Sequence, residues 1–232
     1  MIDVSFDFQN EVGGKDSDRY SPTLQEYHRI LWSKPLPNGN IFKLDKISQN
    51  RLHHKSNLGE FYLSSDRAIT SFWKRKSFEH ITSKLPLDQL KQYDQITDTI
   101  GGIVIWPSNR VGTRQTINGA RGFNRMISDR LDLTIECIRL YYLGQSSPLT
   151  ETFELYSDFF DLFDNFEGYI KFFLLQDAVT EDFNEVKIAK PFDNFKSSPV
   201  PRNVEEFLQY KDKTIEFVKL RNRRIENYAK TL

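Results

Sequence analysis

The chain has 232 residues, with 32 Lys plus Arg against 32 Asp plus Glu, a formal net charge of zero and one cysteine, Cys137. That excludes an intrachain disulfide framework, and it excludes a global basic field that would drive the chain onto nucleic acid or an anionic membrane. Aromatic residues make up 14% of the chain, too many for a disordered segment and enough to fill a sizeable core.

The opening MIDVSFDFQNE has neither a basic n-region nor an apolar h-region, so it does not read as a signal peptide. The apolar runs Ile100–Trp106 and Phe172–Leu175 are far shorter than the ~20 residues of a membrane span. The expectation is a cytoplasmic protein with no membrane partner. Turn chemistry dominates 8–40, in GGKDSDRYSP and SKPLPNGN, because Gly, Asp, Ser and Pro favour bent backbone. Between these lies a helical pattern, Thr23–Trp32, with Leu24, Tyr27, His28 and Leu31 on one face.

Strand-like runs follow at Ile41–Leu44, Glu60–Leu63, Ala68–Phe72 and Ile100–Trp106, and helical runs at Phe78–Leu85 and Leu87–Ile96. From Met126 the pattern turns helical. Met126–Leu143 reads as one helix ended by Gly144. Leu149–Phe163 begins after Ser147-Pro148, and Asn165–Asp177 follows. Val186–Ala189 reads as a short strand, and Val204–Ala229 as a final helix with Asn203 as its N-cap. These elements predict one α+β domain over 1–232, with short strands and loops in 1–125 and mostly helix in 126–232.

Charge is segregated along this order. Asn109–Arg139 carries six arginines (Arg110, Arg114, Arg121, Arg125, Arg130 and Arg139) against three acids, a net of +3. Gln145–Glu185 carries ten acids and one base, a net of −9. Lys211–Lys230 carries a net of +4. The two basic stretches can close onto the acidic one, or all three can be solvated faces.

The stretch 109–142 holds the densest chemistry. After the run IGGIVIW comes a loop with Gly112, Gly119 and Gly122 among its arginines. Gly lets backbone N–H groups approach a ligand, and Arg offers a fork to phosphate or carboxylate. Arg110, Asn118, Arg121, Arg130 and Arg139 are therefore candidate phosphate-binding residues. The spacing matches neither a Walker A loop nor a dinucleotide fingerprint. In the helix that follows, Asp132, Glu136 and Arg139 stand on one face at i, i+4 and i+7 among apolar residues. Buried charges beside an Arg-rich loop mark a candidate site, with Asp132 and Glu136 as base or metal ligand and His28 as general acid or base. The same residues equally form a structural salt-bridge network.

The other motifs carry less. His53-His54 point apart in extended chain, and no H-x-x-x-H or Cys/His pairing exists, so no dedicated zinc site is expected. Ser64-Ser65-Asp66 reads as a turn. Cys137 reads as a small buried hydrophobe. Phe160, Phe163, Tyr169, Phe172 and Phe173 read as core, since base stacking needs nearby cations. Arg221, Arg223, Arg224 and Lys230 would carry any nucleic-acid contact, which zero net charge disfavours.

The segments YSPTLQEYHRILWSKPLPNG (20–39), GEFYLSSD (59–66), TINGARGFNRMISDRLDLTIECIR (116–139), FFLLQD (172–177) and RNRRI (221–225) resemble an uncharacterised family of bacterial proteins of similar length. The resemblance spans nearly the whole chain. It implies a bacterial or phage source and one architecture but no mechanism; it brings no assigned catalytic residues, and the cofactor stays open. Two functions remain open. One is binding or processing of a phosphate-bearing ligand, a nucleotide or a nucleic-acid end. The other is a non-enzymatic interaction protein acting on a protein partner, such as a regulator or conflict component.

Overall fold

A computed structural model describes residues 2–44, 46–48, 51–112, 115–189 and 192–232. Arg114 of the basic stretch lies outside them. Two short helices, α1 (Phe8–Glu11) and α2 (Ser17–Tyr20), lead into α3 (Pro22–Trp32). Ser21 caps α3: its hydroxyl accepts the Leu24 N–H at 3.0 Å, and Pro22 occupies the first turn, where no N–H is needed. The apolar face expected from the sequence is buried, and His28 is buried with it.

The strands β1 (Lys46–Ser48), β2 (Arg51–Ser56), β3 (Gly59–Arg67) and β4 (Ile103–Pro107) form one antiparallel sheet in that order. Leu52 faces Leu63, Ser64 faces Trp106 and Asp66 faces Val104. All of β4 is buried, which explains why IVIWP reads as a continuous apolar run with no alternation. The crossover from β3 to β4 holds α4 (Glu79–Thr82) and α5 (Leu87–Thr97). Then come α6 (Ile117–Phe123), α7 (Leu131–Tyr142), α8 (Thr150–Glu154), α9 (Ser157–Asp161), α10 (Phe166–Phe172) and α11 (Val204–Ala229). The class is α+β, with the sheet in the N-terminal half and helices in the C-terminal half.

Several boundaries differ from the sequence expectation. Ile41–Leu44 makes only an isolated bridge between Ile41 and Pro35. Ala68–Phe72 is not a strand: β3 ends at Arg67, and Phe72 has φ 60°. Ser64-Ser65-Asp66 lies inside β3 rather than in a turn. The expected helix at 126–143 starts only at Leu131, because Ser128 and Asp129 adopt left-handed backbone at φ 46° and 66°. The supposed loop before it is partly helical: α6 is capped by Thr116, whose hydroxyl accepts the Gly119 N–H at 3.2 Å. Leu149–Phe163 is broken into α8 and α9 at Leu155 and Tyr156, and Val186 makes a single bridge to Val179.

Two helix ends follow the expected chemistry. Gly144, at φ 66°, ends α7, and the Gln145 N–H reaches back to the Leu140 carbonyl at 2.8 Å. Asn203 caps α11 by accepting the Glu206 N–H at 2.9 Å.

The main core joins the sheet to α3, α7 and the aromatic segment 153–175. There Tyr169 and Phe173 lie 4.8 Å apart, Phe153 and Phe160 5.0 Å, and Phe163 and Phe173 5.1 Å, all buried. Such ring pairs add roughly 0.5–1.5 kcal/mol each beyond their burial. A smaller cluster, with Phe72, Phe78, Tyr93, Phe207 and Tyr210, packs the first half of α11 against α5.

Candidate functional site

Arg121 is the centre of the densest polar network, and it faces inward. It is fully buried on α6, with its guanidinium 4.9 Å from the Trp106 ring centroid. Its nitrogens donate to Thr134 Oγ1 at 3.1 Å, Asn118 Oδ1 at 3.2 Å and the carbonyls of Ala68 and Asp129. Asp129 supplies the counter-charge at 2.8 Å. The left-handed turn at Ser128-Asp129 is what carries that carboxylate back over α6. A guanidinium so fully satisfied ties β3, α6 and α7 together and leaves no donor for a ligand.

Arg130 and Arg139 are also held by internal partners, whereas Arg110 is not buried. Arg130 is buried. It pairs with Asp132 through two nitrogens, donates to the Pro199 carbonyl at 2.9 Å and lies over the Tyr210 ring. Arg139 grips Glu136 at 2.9 and 2.7 Å, one turn apart on α7. Arg110 is exposed in the loop after β4. On α11, Arg221 is fully buried and donates only to neutral oxygens, the carbonyls of Leu174, Gly101, Ile103 and Phe173 and the Tyr27 hydroxyl. Arg224 forks onto Asp177 at 2.8 Å through each oxygen. RNRRI is thus no free basic strip.

His28 meets a different set of groups. Its Nε2 lies 2.8 Å from Ser65 Oγ and 3.2 Å from Asp18 Oδ1, and Asp18 Oδ2 accepts the Ser65 N–H at 3.0 Å. Serine, histidine and aspartate converge, but both partners use the same ring nitrogen. In a nucleophilic triad the carboxylate holds the opposite nitrogen and so sets the tautomer. Here Nδ1 is buried without a hydrogen bond among the described residues, and the cluster joins α2 and α3 to β3.

Next along β3, Asp66 accepts from Asn118 Nδ2 at 2.7 Å. Burial pushes its carboxyl up to about 7, against the pull of Arg121 and with a further push from Asp18. Among the described residues His28 shares no hydrogen-bond partner with Asp132 or Glu136. Cys137 is buried, and burial pushes its thiol up to about 12, as a packed hydrophobe requires.

A cavity of about 420 Å³ opens between α7, α11 and the segment 177–189. Ile69, Leu131, Ile135, Ala178, Ile188 and Phe217 give it apolar walls. Volumes of ~300–1,000 Å³ with apolar walls and a few polar groups are usual for small-molecule sites. Asp132 lies on its wall, held by Arg130 and by the Ala189 N–H at 3.1 Å. This is where one residue singled out by the sequence meets accessible space. The Tyr210 hydroxyl in its wall donates to the Thr70 carbonyl at 3.0 Å. At the mouth, Lys187 and Lys213 are exposed, and the Lys213 ammonium donates a long hydrogen bond, 3.4 Å, to the Ile188 carbonyl.

With fold and site in place, the chain can be compared with known proteins. A family described as "Family of unknown function (DUF6994)" matches residues 2–225. The chain belongs to this family. No curated protein matches it, and no solved structure does. Among the described residues no helix is long and apolar enough to cross a membrane.

The cavity residues were only half legible. Tyr210, Thr214 and Phe217 recur at i, i+4 and i+7 on α11, an ordinary amphipathic stripe, with no sign that part of it faces a void. Lys187 and Lys213 sit on different elements, 26 positions apart by their numbers, and no spacing rule links them.

Proposed function

We propose that this protein binds a small anionic molecule, phosphate-bearing compounds included, in the cavity between α7 and α11. The observation that supports this is a concavity with an apolar depth and two lysines at its mouth, Lys187 and Lys213, neither of which forms an ion pair with a described residue. The phosphate-holding role foreseen for the 110–139 arginines moves to these lysines, because Arg121, Arg130 and Arg139 are held by internal partners. Asp132 shapes the wall, and its carboxylate is fixed by Arg130 and the Ala189 amide.

A thermal-shift panel of nucleotides, sugar phosphates and organic carboxylates tests the proposal. A ligand at about 100 times its Kd should raise Tm by roughly 5–10 °C for a chain of this size. The rise should vanish in Leu220→Trp, which places a large ring at the rim from a position that is 38% exposed. Shifts that persist unchanged in that variant would place the ligand elsewhere.

A further inference from the structure

The polar atoms of the cavity also bear on what enters it, an inference that rests on the ligand-binding proposal above. In the depth, every polar side chain is already engaged. Asp132 is held by Arg130 and the Ala189 amide, and Asp177 by both forks of Arg224. The Tyr210 hydroxyl is bonded to the Thr70 carbonyl, and the Thr214 hydroxyl to the Tyr210 carbonyl at 2.8 Å and the Tyr93 hydroxyl at 2.9 Å. The hydroxyl donors are thus spent, so a ligand whose buried part carried acceptor atoms, such as unprotonated ring nitrogens or carbonyls, would leave them unmet, a loss on the order of 5- to 150-fold in affinity for each. A hydrocarbon body suffers no such loss.

The mouth differs. Lys187, Lys213 and Glu216 reach it from exposed positions, which leaves one net positive charge there. The interior carboxylates add none, since each is paired with an arginine. The cavity of about 420 Å³ has room for roughly a dozen water-sized groups at ~30 Å³ each, the scale of a medium-length chain or a single aryl ring system.

We infer that the cavity takes an amphiphilic anion, with an aliphatic or aryl body in the apolar depth and a carboxylate or phosphate held by Lys187 and Lys213. Titration calorimetry on the full chain tests this with octanoate, octyl phosphate, octan-1-ol and adenosine monophosphate. The proteins are wild type, the Lys187→Ala/Lys213→Ala pair and Leu220→Trp.

Both octyl anions should bind wild type. The double lysine variant should lose roughly 10- to 100-fold for them and keep its affinity for octanol. Adenosine monophosphate should bind more weakly than octyl phosphate. Because both lysines are exposed, unchanged melting of the double variant separates lost binding from lost fold. If octanol binds as tightly as octanoate, or the lysine variant is indistinguishable from wild type, the anion-holding role is wrong while the cavity remains a binding site. Tighter binding of adenosine monophosphate than of octyl phosphate overturns the hydrocarbon body. If no ligand binds wild type, or Leu220→Trp binds all of them equally well, the cavity proposal itself fails.

Discussion

At the residue scale, the arginines decide how the polar part of this protein behaves. A guanidinium has five donors in a fixed fork; Arg221 satisfies four of its five on backbone carbonyls and Arg121 two. Every residue carries such a carbonyl, so no sequence pattern announces the acceptor. That is why Arg121 reads as a ligand residue from its loop and proves to be a tie between β3, α6 and α7. Replacing Arg121 by Met should destabilise the fold by about 3–5 kcal/mol, since it strands Asp129 and the Ala68 carbonyl. Urea unfolding measures this, and a loss below about 1 kcal/mol would show that the tie is dispensable.

Asp66 gives a pH prediction. Its folded carboxyl is pushed up to about 7, mainly by burial, from roughly 3.9 unfolded. The folded state therefore holds the proton more tightly. Its contribution to stability is fully present below about pH 4 and is lost as pH rises through about 7. The stability of wild type relative to Asp66→Asn should fall over that window. A difference that stays flat in unfolding curves between pH 4 and 7.5 would refute the assignment.

At the element scale, local signals succeeded where one residue type acts on its own backbone. Asn203 and Gly144 were read correctly as the start of α11 and the end of α7. They failed where a bend depends on a distant partner. The expected helix at 126–143 loses its first turn because Asp129 must reach Arg121. β2 went unread because RLHHKS lacks apolar alternation, and its pairing with β3 is what makes it a strand.

Two glycines show the same contrast. A Cβ at Gly101 would overlap the Val218 carbonyl of α11, whereas one at Gly122 meets nothing within 4 Å. Gly122→Ala should stabilise the chain by roughly 0.4–1 kcal/mol, through helix propensity and a less free unfolded chain. Gly101→Ala should cost several kcal/mol by forcing α11 away from the turn. Equal effects in thermal melts would refute the close approach.

At the scale of the whole molecule, the charge segregation visible in the sequence is only partly used. Arg224 joins α11 to Asp177 of the acidic stretch. By contrast, Glu154, Asp158, Asp161 and Asp164 face solvent along α8–α10. The cavity likewise exists only where α7, α11 and the segment 177–189 meet.

The sequence by itself determined the α+β class, the helical C-terminal half, the aromatic core of 153–175, the inert thiol and the membership in its family. Those properties follow from composition, from period and from residues acting on their neighbours in the chain. Only the tertiary structure decided which arginines are held inside, that His28 meets Ser65 rather than Asp132, and that Lys187 and Lys213 share one mouth. Each of those depends on atoms far apart in the chain, and a sequence pattern specifies which face of an element is apolar without specifying what that face will meet.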